Sequence, residues 1–371
     1  MTTYKSRNEV PANERWNLED IYSDMTKWEN DLQIVEKMAE RLKEFDGAIQ
    51  DGKSLYQYLK QREELSYTFN HVYAYAMLNV DEDTREASSQ SLLDRAKGLS
   101  VKVSSSTSFF MPYLLGLDKE TLSSYIAEEE GLTYFEEDLY ESFRYKSHVL
   151  TKDQEEVISQ LGEALSAPST TFGMINNADI KFGDVTNGNG EKIQLTRGMY
   201  SKLIEDEDRD KRREAYKAYY KPYVELKNSI ASTLSAAIKN NVTLARIRKY
   251  PSALEKALFG DMVPKEVYEN LIMATKENIA PLHRYSEIRK EKLQLDELRQ
   301  YDMSVPLVQG VKQVIPYEEA YETMLKALAP LGEEYVSILK EFKDARYIDV
   351  RETPGKRSGA YNLGIYGVHP F

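Results

Sequence analysis

Cysteine is absent from the 371 residues, which excludes a disulfide framework, a thiolate nucleophile and any cysteine-ligated metal. Basic residues are in the minority, 49 Lys and Arg against 61 Asp and Glu. The resulting net charge of -12 argues against non-specific binding to nucleic acid and against an anionic membrane surface. No apolar run reaches the roughly 18 residues of a membrane span. The opening MTTYKSRNEVPANERW lacks the apolar core of a secretory signal. A reducing cytoplasm fits these absences. Histidine is scarce: His71, His148, His283 and His369 are the only four. No two form a His-x-x-x-His pair, the spacing that sets two imidazoles on one helix face at metal-ligand distance. Phosphate loops are missing too. Residues 188–190 lack the G-x-x-x-x-G-K-[ST] frame, and residues 355–357, GKR, run on into a strand-like pattern.

What is present is an ordinary globular composition, 41% hydrophobic and 30% charged, long enough for two or three domains or one large helical one. The 27 tyrosines suit either half-buried helix faces, in place of phenylalanine, or helix surfaces facing a wet cleft. Spacings of three and four recur. Trp28, Leu32, Val35, Ala39, Leu42 and Phe45 predict one amphipathic helix. Leu55, Tyr58, Leu59, Leu65, Phe69 and Val72 predict a second, broken at 81–83, and Thr84 caps a third. Thr151 with Gln154 has capping-box spacing. Ile230, Leu234, Ala237, Ile238, Val242 and Ala245 form a stripe on a long later helix. Pro222 interrupts the charged helix before it. Near 178–195 the period changes to two, with NGNG at residues 187–190 as a hairpin turn. Strand signals return at 301–308 and 347–351 and in the closing stretch. The fold class is therefore mainly α, with one β-hairpin and a small, incomplete β-region near 301–371. The divisions read from the chain are 1–112, 113–197 and 198–371.

Candidate chemistry is thin before the closing stretch. His283 and Glu287 stand four apart on a predicted helix but read best as a surface pair. His71 reads as a satisfied core histidine, and His148 as a helix-end residue favoured by the dipole. The acidic pairs read as solvated faces. Residues 355–371, GKRSGAYNLGIYGVHPF, differ: small residues and aromatics alternate in an extended pattern. Such a segment is either a tightly packed buried strand pair or an edge that takes up a peptide by strand addition. It stops at Phe371 in mid-pattern and looks cut. If so, residues 345–371 are expected to be disordered or paired with another chain.

At these residues the sequence resembles the segment of oligoendopeptidase F, in the M3 group of zinc metallopeptidases, that leads into the active-site helix. NEVPANERWNLEDIYSDMTKWENDL, LARIRKYPSALEKALFGDMVPKEVYENL and RQYDMSVPLV resemble further parts of that family in the same order, so the likeness covers the whole chain. It implies a helical, two-lobed, clam-like peptidase with a deep channel, in which a zinc ion and the glutamate of His-Glu-x-x-His hydrolyse oligopeptides. That motif does not occur here, so no catalytic residue and no metal ligand carries over. Gly359, Ala360 and Tyr361 match the stretch that aligns substrate backbone, and His369 the neighbouring Gly-x-His-Pro turn. The resemblance thus implies an N-terminal portion, its peptidase domain truncated before the zinc-binding helix and inactive alone. Zinc is implied for the full-length enzyme and none for this chain by itself. The implied partners are an oligopeptide and the missing C-terminal portion, with neither nucleic acid nor membrane. The alternative is a non-catalytic helical module, derived from the peptidase lobe, that binds peptides or proteins.

Overall fold

The computed structural model describes residues 4, 6–186, 190–308, 315–357 and 359–371. Helices follow one another along the chain: α1 (Met25–Lys43), α2 (Gly52–Glu82), α3 (Ala87–Thr107), α4 (Phe110–Gly116), α5 (Lys119–Glu128), α6 (Glu136–Ser142), α7 (Lys152–Gln160) and α8 (Gly162–Met174). A hairpin of β1 (Asp184–Thr186) and β2 (Lys192–Gln194) comes next. Helices resume as α9 (Arg197–Leu203), α10 (Arg209–Glu225), α11 (Lys227–Ile247), α12 (Ala253–Phe259), α13 (Lys265–Glu277), α14 (Ala280–Lys292), α15 (Tyr317–Ala327) and α16 (Glu333–Asp344). The chain divides into two compact units, one of residues 1–178, 240–250 and 340–371, the other of 179–239 and 251–339.

The first unit is built on α1, α2 and α3. Asp24 opens α1 by accepting a hydrogen bond from the Lys27 N–H at 3.1 Å. The predicted face of α1 is the one it buries: Trp28, Leu32, Val35, Ala39 and Leu42. Trp28 is fully enclosed, and its indole N–H reaches the Val72 carbonyl of α2 at 3.0 Å, so a large apolar side chain is buried without orphaning its donor. Tyr58 of α2 stacks on Phe110 of α4 with centroids 4.5 Å apart. Thr151 N–H donates to Gln154 Oε1 at 3.3 Å, half of the capping box predicted for α7. Thr84 does not cap α3. Its N–H and its hydroxyl both donate to the Gly355 carbonyl, each at 2.8 Å.

In the second unit the hairpin pairs antiparallel, Asp184 with Gln194, Val185 with Ile193 and Thr186 with Lys192. Residues 187–189 of the predicted turn lie outside the described residues. Val185 and Leu195 pack with Ala215 of α10, and Phe182 stacks on Tyr219 at 4.6 Å. Pro222 is buried inside α10 rather than breaking it; its carbonyl still accepts from the Leu226 N–H at 3.0 Å. Proline removes a donor but leaves this acceptor, so the last turn closes. The α11 stripe is mostly uncovered: Leu234 is 61% and Ile238 53% exposed.

The helical fold class holds, but the β-region near 301–371 forms no strand ladder among the described residues. Residues 346–350 do run beside 14–17, with Asn17 N–H on the Arg346 carbonyl at 3.1 Å and Val350 N–H on the Glu14 carbonyl at 3.0 Å. Between these bonds the Arg346 guanidinium takes the carbonyls of Arg15 and Trp16, at 3.2 and 2.9 Å. A side chain thus occupies acceptors that a strand partner would use. Nor is the segment without partners, contrary to the expectation for 345–371. Ile365 and Phe371 are buried with Trp16, Leu18, Ala74 and Leu78, and Leu363 and Phe371 exchange backbone bonds at 2.8 and 2.9 Å.

Residues 300–302 form a tight turn rather than a strand because Asp302 is claimed by arginines. Its fully buried carboxylate accepts from Arg209 at 2.9 Å, from Arg212 at 2.8 Å and from the Arg299 N–H at 2.9 Å. Burial alone would favour the neutral acid; the hydrogen bonds from Arg209 and Arg212 outweigh it and hold the carboxyl below its ordinary range. Asp302→Ala should lower the unfolding free energy by about 3–5 kcal/mol in urea titrations, because Arg212 then stays buried and unpaired. With the folded pKa below the unfolded one, this stabilisation is full above the unfolded value and is lost as pH falls through the folded one. Wild-type stability should therefore drop below about pH 4, and Asp302→Ala should lack that component.

Candidate functional site

The segment after α16 crosses the C-terminal end of α2, and the crossing is dictated by unpaired groups there. The last carbonyls of a helix have no partner within it. Asp81 of α2 gives its carbonyl to the Arg357 N–H at 3.0 Å. The Asp81 carboxylate, part of a residue only 5% exposed, accepts from the Arg357 guanidinium at 3.1 Å and from the Tyr361 hydroxyl at 2.7 Å. A second buried carboxylate, Asp349, is paired with Arg7 and Lys356. Arg7 also pairs with Glu82, and the Lys356 ammonium donates to the Asp349 and Arg351 carbonyls, each at 3.0 Å. Three cations thus face three anions. Burial pushes the Glu82 carboxyl above its ordinary range, against the pull of Arg7.

Around this network lies a cavity of about 210 Å³, lined by Trp16, Asp81, Tyr347, Asp349, Phe371 and the stretch 359–362, among others. Gly359, Ala360 and Tyr361 are therefore brought together at its wall. Gly359 and Ala360 are exposed, and among the described residues the backbone of 359–361 makes no hydrogen bond to other backbone. Gly359 holds φ of +119°, with open space where a Cβ would stand. Gly355, at φ +86°, has no such space: a Cβ there would collide with Asp83 and Arg85. Tyr361 lies 6.1 Å from Trp16, centroid to centroid. Burial, then the Asp81 carboxylate, drives its phenol pKa well above the usual tyrosine value. His369 is not among the lining residues. Its Nε2 is 3.0 Å from Asp20, its Nδ1 3.0 Å from the Pro370 carbonyl, and its ring stacks on Tyr347 at 3.7 Å.

Such a wall can hold an extended chain, offering free backbone donors and acceptors beside aromatic faces. Among the described residues it contains no nucleophile paired with a base, and both of its carboxylates are engaged by cations. His71 and His148, in the same unit, are not among its lining residues. His71 Nδ1 is 2.8 Å from the Tyr67 carbonyl; His148 Nδ1 is 2.8 Å from the Arg248 carbonyl, with the ring stacked on Tyr250 at 3.6 Å. Glu287 pairs with Arg284 at 3.3 Å. Among the described residues no three His, Asp or Glu side chains are grouped to hold a metal. Asp81 and Asp349 went unread as site residues in the sequence; the only signal for the first was the acidic break at 81–83.

The family described as Peptidase family M3 matches residues 202–369, and that described as Oligopeptidase F matches 114–182. The chain is 38% identical over 366 residues to Oligopeptidase PepF of Bacillus subtilis, covering 98% of this chain and 55% of that protein. The chain belongs to peptidase family M3. A further M3 relative, the Oligoendopeptidase F homolog of Lactococcus lactis subsp. lactis, is 34% identical over 369 residues, 99% of this chain and 61% of its own. The crystal structure of oligoendopeptidase-F from Enterococcus faecium superposes with a TM-score of 0.74 at 31% identity, over 86% of this chain and 61% of that one. The chain thus spans somewhat over half the length of these M3 relatives. No helix among the described residues is long and apolar enough to cross a membrane.

Tyr361→Phe should cost about 1 kcal/mol of stability, since it leaves Asp81 one donor short. In the wild type Tyr361 should remain protonated at a pH where exposed tyrosines ionise. The folded phenol pKa is raised, so this bond's stabilisation is full below the unfolded value of about 10 and is lost as pH rises above it. Absorbance titration near 295 nm of wild type against Tyr361→Phe checks both statements.

Proposed function

We propose that this chain is the peptide-holding part of a cytoplasmic M3 zinc metalloendopeptidase that hydrolyses oligopeptides. The observation that carries the proposal is the 38% identity to an oligopeptidase along 98% of the chain. The site geometry supports it: Gly359, Ala360 and Tyr361 form an exposed stretch, without bonds to other backbone among the described residues, that can bond a peptide main chain. His369 acts from behind, its stack on Tyr347 supporting one side of the cavity. The two family matches, 114–182 and 202–369, support reading residues 1–112 as an N-terminal helical region, 113–197 as a helical lobe with the hairpin and 198–371 as the start of the peptidase domain.

Zinc is the metal that the family implies, and the residues present do not fit it. No His-Glu-x-x-His occurs in the sequence, and three of the four imidazoles already hold carbonyl or carboxylate partners. The ligands and general base of the proposed enzyme are accordingly not drawn from these residues, and the chain alone does not hydrolyse peptides. The second reading, a non-catalytic peptide- or protein-binding module, rests on the same engaged imidazoles.

An internally quenched oligopeptide tests the proposal. Fluorescence should report binding to the purified chain without turnover, with or without added zinc. Chelator-sensitive cleavage would sink the claim of inactivity, and absence of binding would sink the peptide-holding role. Gly359→Pro removes an edge N–H and cannot adopt φ of +119°, so it should weaken peptide binding by about tenfold, measured by anisotropy.

A further inference from the structure

A second cavity, of about 440 Å³, opens in the first unit between α2, α4 and α6. It shares no lining residue with the cavity beside Asp81. Along α2, Arg62 and Asp81 stand about 28 Å apart, at about 1.5 Å of rise per residue. The volume falls within the range of small-molecule sites, roughly 300–1,000 Å³. Leu59, Phe110 and Leu139, each no more than 5% exposed, line it with apolar surface, together with half-buried Phe135. Phe110 is fixed in place by its stack on Tyr58. Four charged side chains also line the cavity, and two of them are already paired. Glu63 meets Lys60 at 3.2 Å, and Glu141 meets Arg144 at 2.7 Å. The other two are Arg62 of α2 and Asp138 of α6. Among the described residues neither forms an ion pair, with the other or with a third group. The Arg62 guanidinium is held instead over the apolar lining, 5.5 Å from the Phe110 ring centroid.

We infer that this cavity binds a dipeptide with large apolar side chains, its ammonium on Asp138 and its carboxylate on Arg62. The charges select the ligand. A simple anion would meet Asp138 beside the two paired glutamates, and a simple cation would meet Arg62. A zwitterion satisfies both, through charge-assisted hydrogen bonds at each end. An α-amino acid carries its two charges on one carbon, whereas a dipeptide spreads them over two Cα atoms about 3.8 Å apart. The wider spacing suits a cation and an anion that stand on different helices, too far apart to pair directly. Side chains of the leucine or phenylalanine type then cover the apolar lining and remove it from water. The inference does not rest on the peptidase reading, although a dipeptide is a class of compound that cleavage of oligopeptides yields.

Calorimetric titration of the full 371-residue chain with leucyl-phenylalanine tests the site. One-to-one binding is the expected result. N-acetylation and C-amidation of the dipeptide should each weaken binding by about tenfold, and replacement by glycylglycine by about tenfold or more. Arg62→Gln should make the free acid and the amide bind equally. Asp138→Asn should do the same for the free and the acetylated amine. Both residues are exposed, so neither change opens the core, and helical circular dichroism should match the wild type. Gly359→Pro alters the wall near Asp81 and should leave the dipeptide's affinity at its wild-type value, which separates the two cavities. No binding by the wild type at millimolar dipeptide overturns the site. Binding that survives both charge substitutions undiminished overturns it as well. Loss of binding in Gly359→Pro overturns it in favour of the wall near Asp81. Free leucine or phenylalanine binding as tightly as the dipeptide overturns the ligand class.

Discussion

A buried carboxylate in a protein interior is tolerable only when it is paired, and that requirement organises the first unit. Asp349 has a side chain 1% exposed and Asp81 one that is 6% exposed. Left alone, each would bear a desolvation cost of several kcal/mol. The cations that satisfy them come from opposite ends of the chain: Arg7 before the first helix, Lys356 and Arg357 after the last. The pairing therefore does more than offset its own desolvation. It ties the segment after α16 onto the end of α2, where orphaned helix carbonyls need donors as well. Helix termination, charge burial and the path of residues 346–361 are one constraint seen three ways.

That constraint explains how an irregular segment becomes a wall. Backbone without secondary structure normally lies on the surface and moves. Here one side of it is held by Thr84 on the Gly355 carbonyl, by Asp81 on Arg357 and Tyr361, and by the apolar packing of Ile365 and Phe371 on Trp16 and Leu18. The other side, at Gly359 and Ala360, stays exposed. Fixing one face and leaving the other free is what strand addition asks of an acceptor edge, because an edge that is already ordered loses less entropy when it binds. Gly355 makes the close approach to Asp83 and Arg85 geometrically possible, and no residue with a Cβ can replace it.

Local pattern was readable and long-range exchange was not. The α1 face, the β-hairpin near 178–195 and the capping pair at Thr151 are properties of windows under about twenty residues, and each appears where the pattern put it. Thr84 was misread because its preferred acceptor lies 271 residues away. The segments read as strands after residue 300 form no ladder among the described residues, because strand identity requires a partner with free acceptors. Arg346 and the arginines around Asp302 had already taken those acceptors or bent the chain. Of the candidate site, Gly359, Ala360 and Tyr361 came from the family likeness. The carboxylates that hold them came only from coordinates, since one acid among 61 carries no mark of being buried.

The α11 and α13 stripes are the informative failure. Periodicity states that a helix has a face to bury; it does not state what will bury it. In α1 the stripe and its cover lie in the same unit, so pattern and burial agree. In α13 the pattern is equally strong and the burial is nil. Helix propensity cannot account for the difference, because thirteen residues contribute too little to hold a helix without packing. Nor can the ring cluster of Phe182, Tyr200 and Tyr219, which satisfies its own members around the hairpin and leaves the α13 face untouched. One unit closes its own core around α1, α2 and α3, while the α13 stripe of the other stays exposed among the described residues.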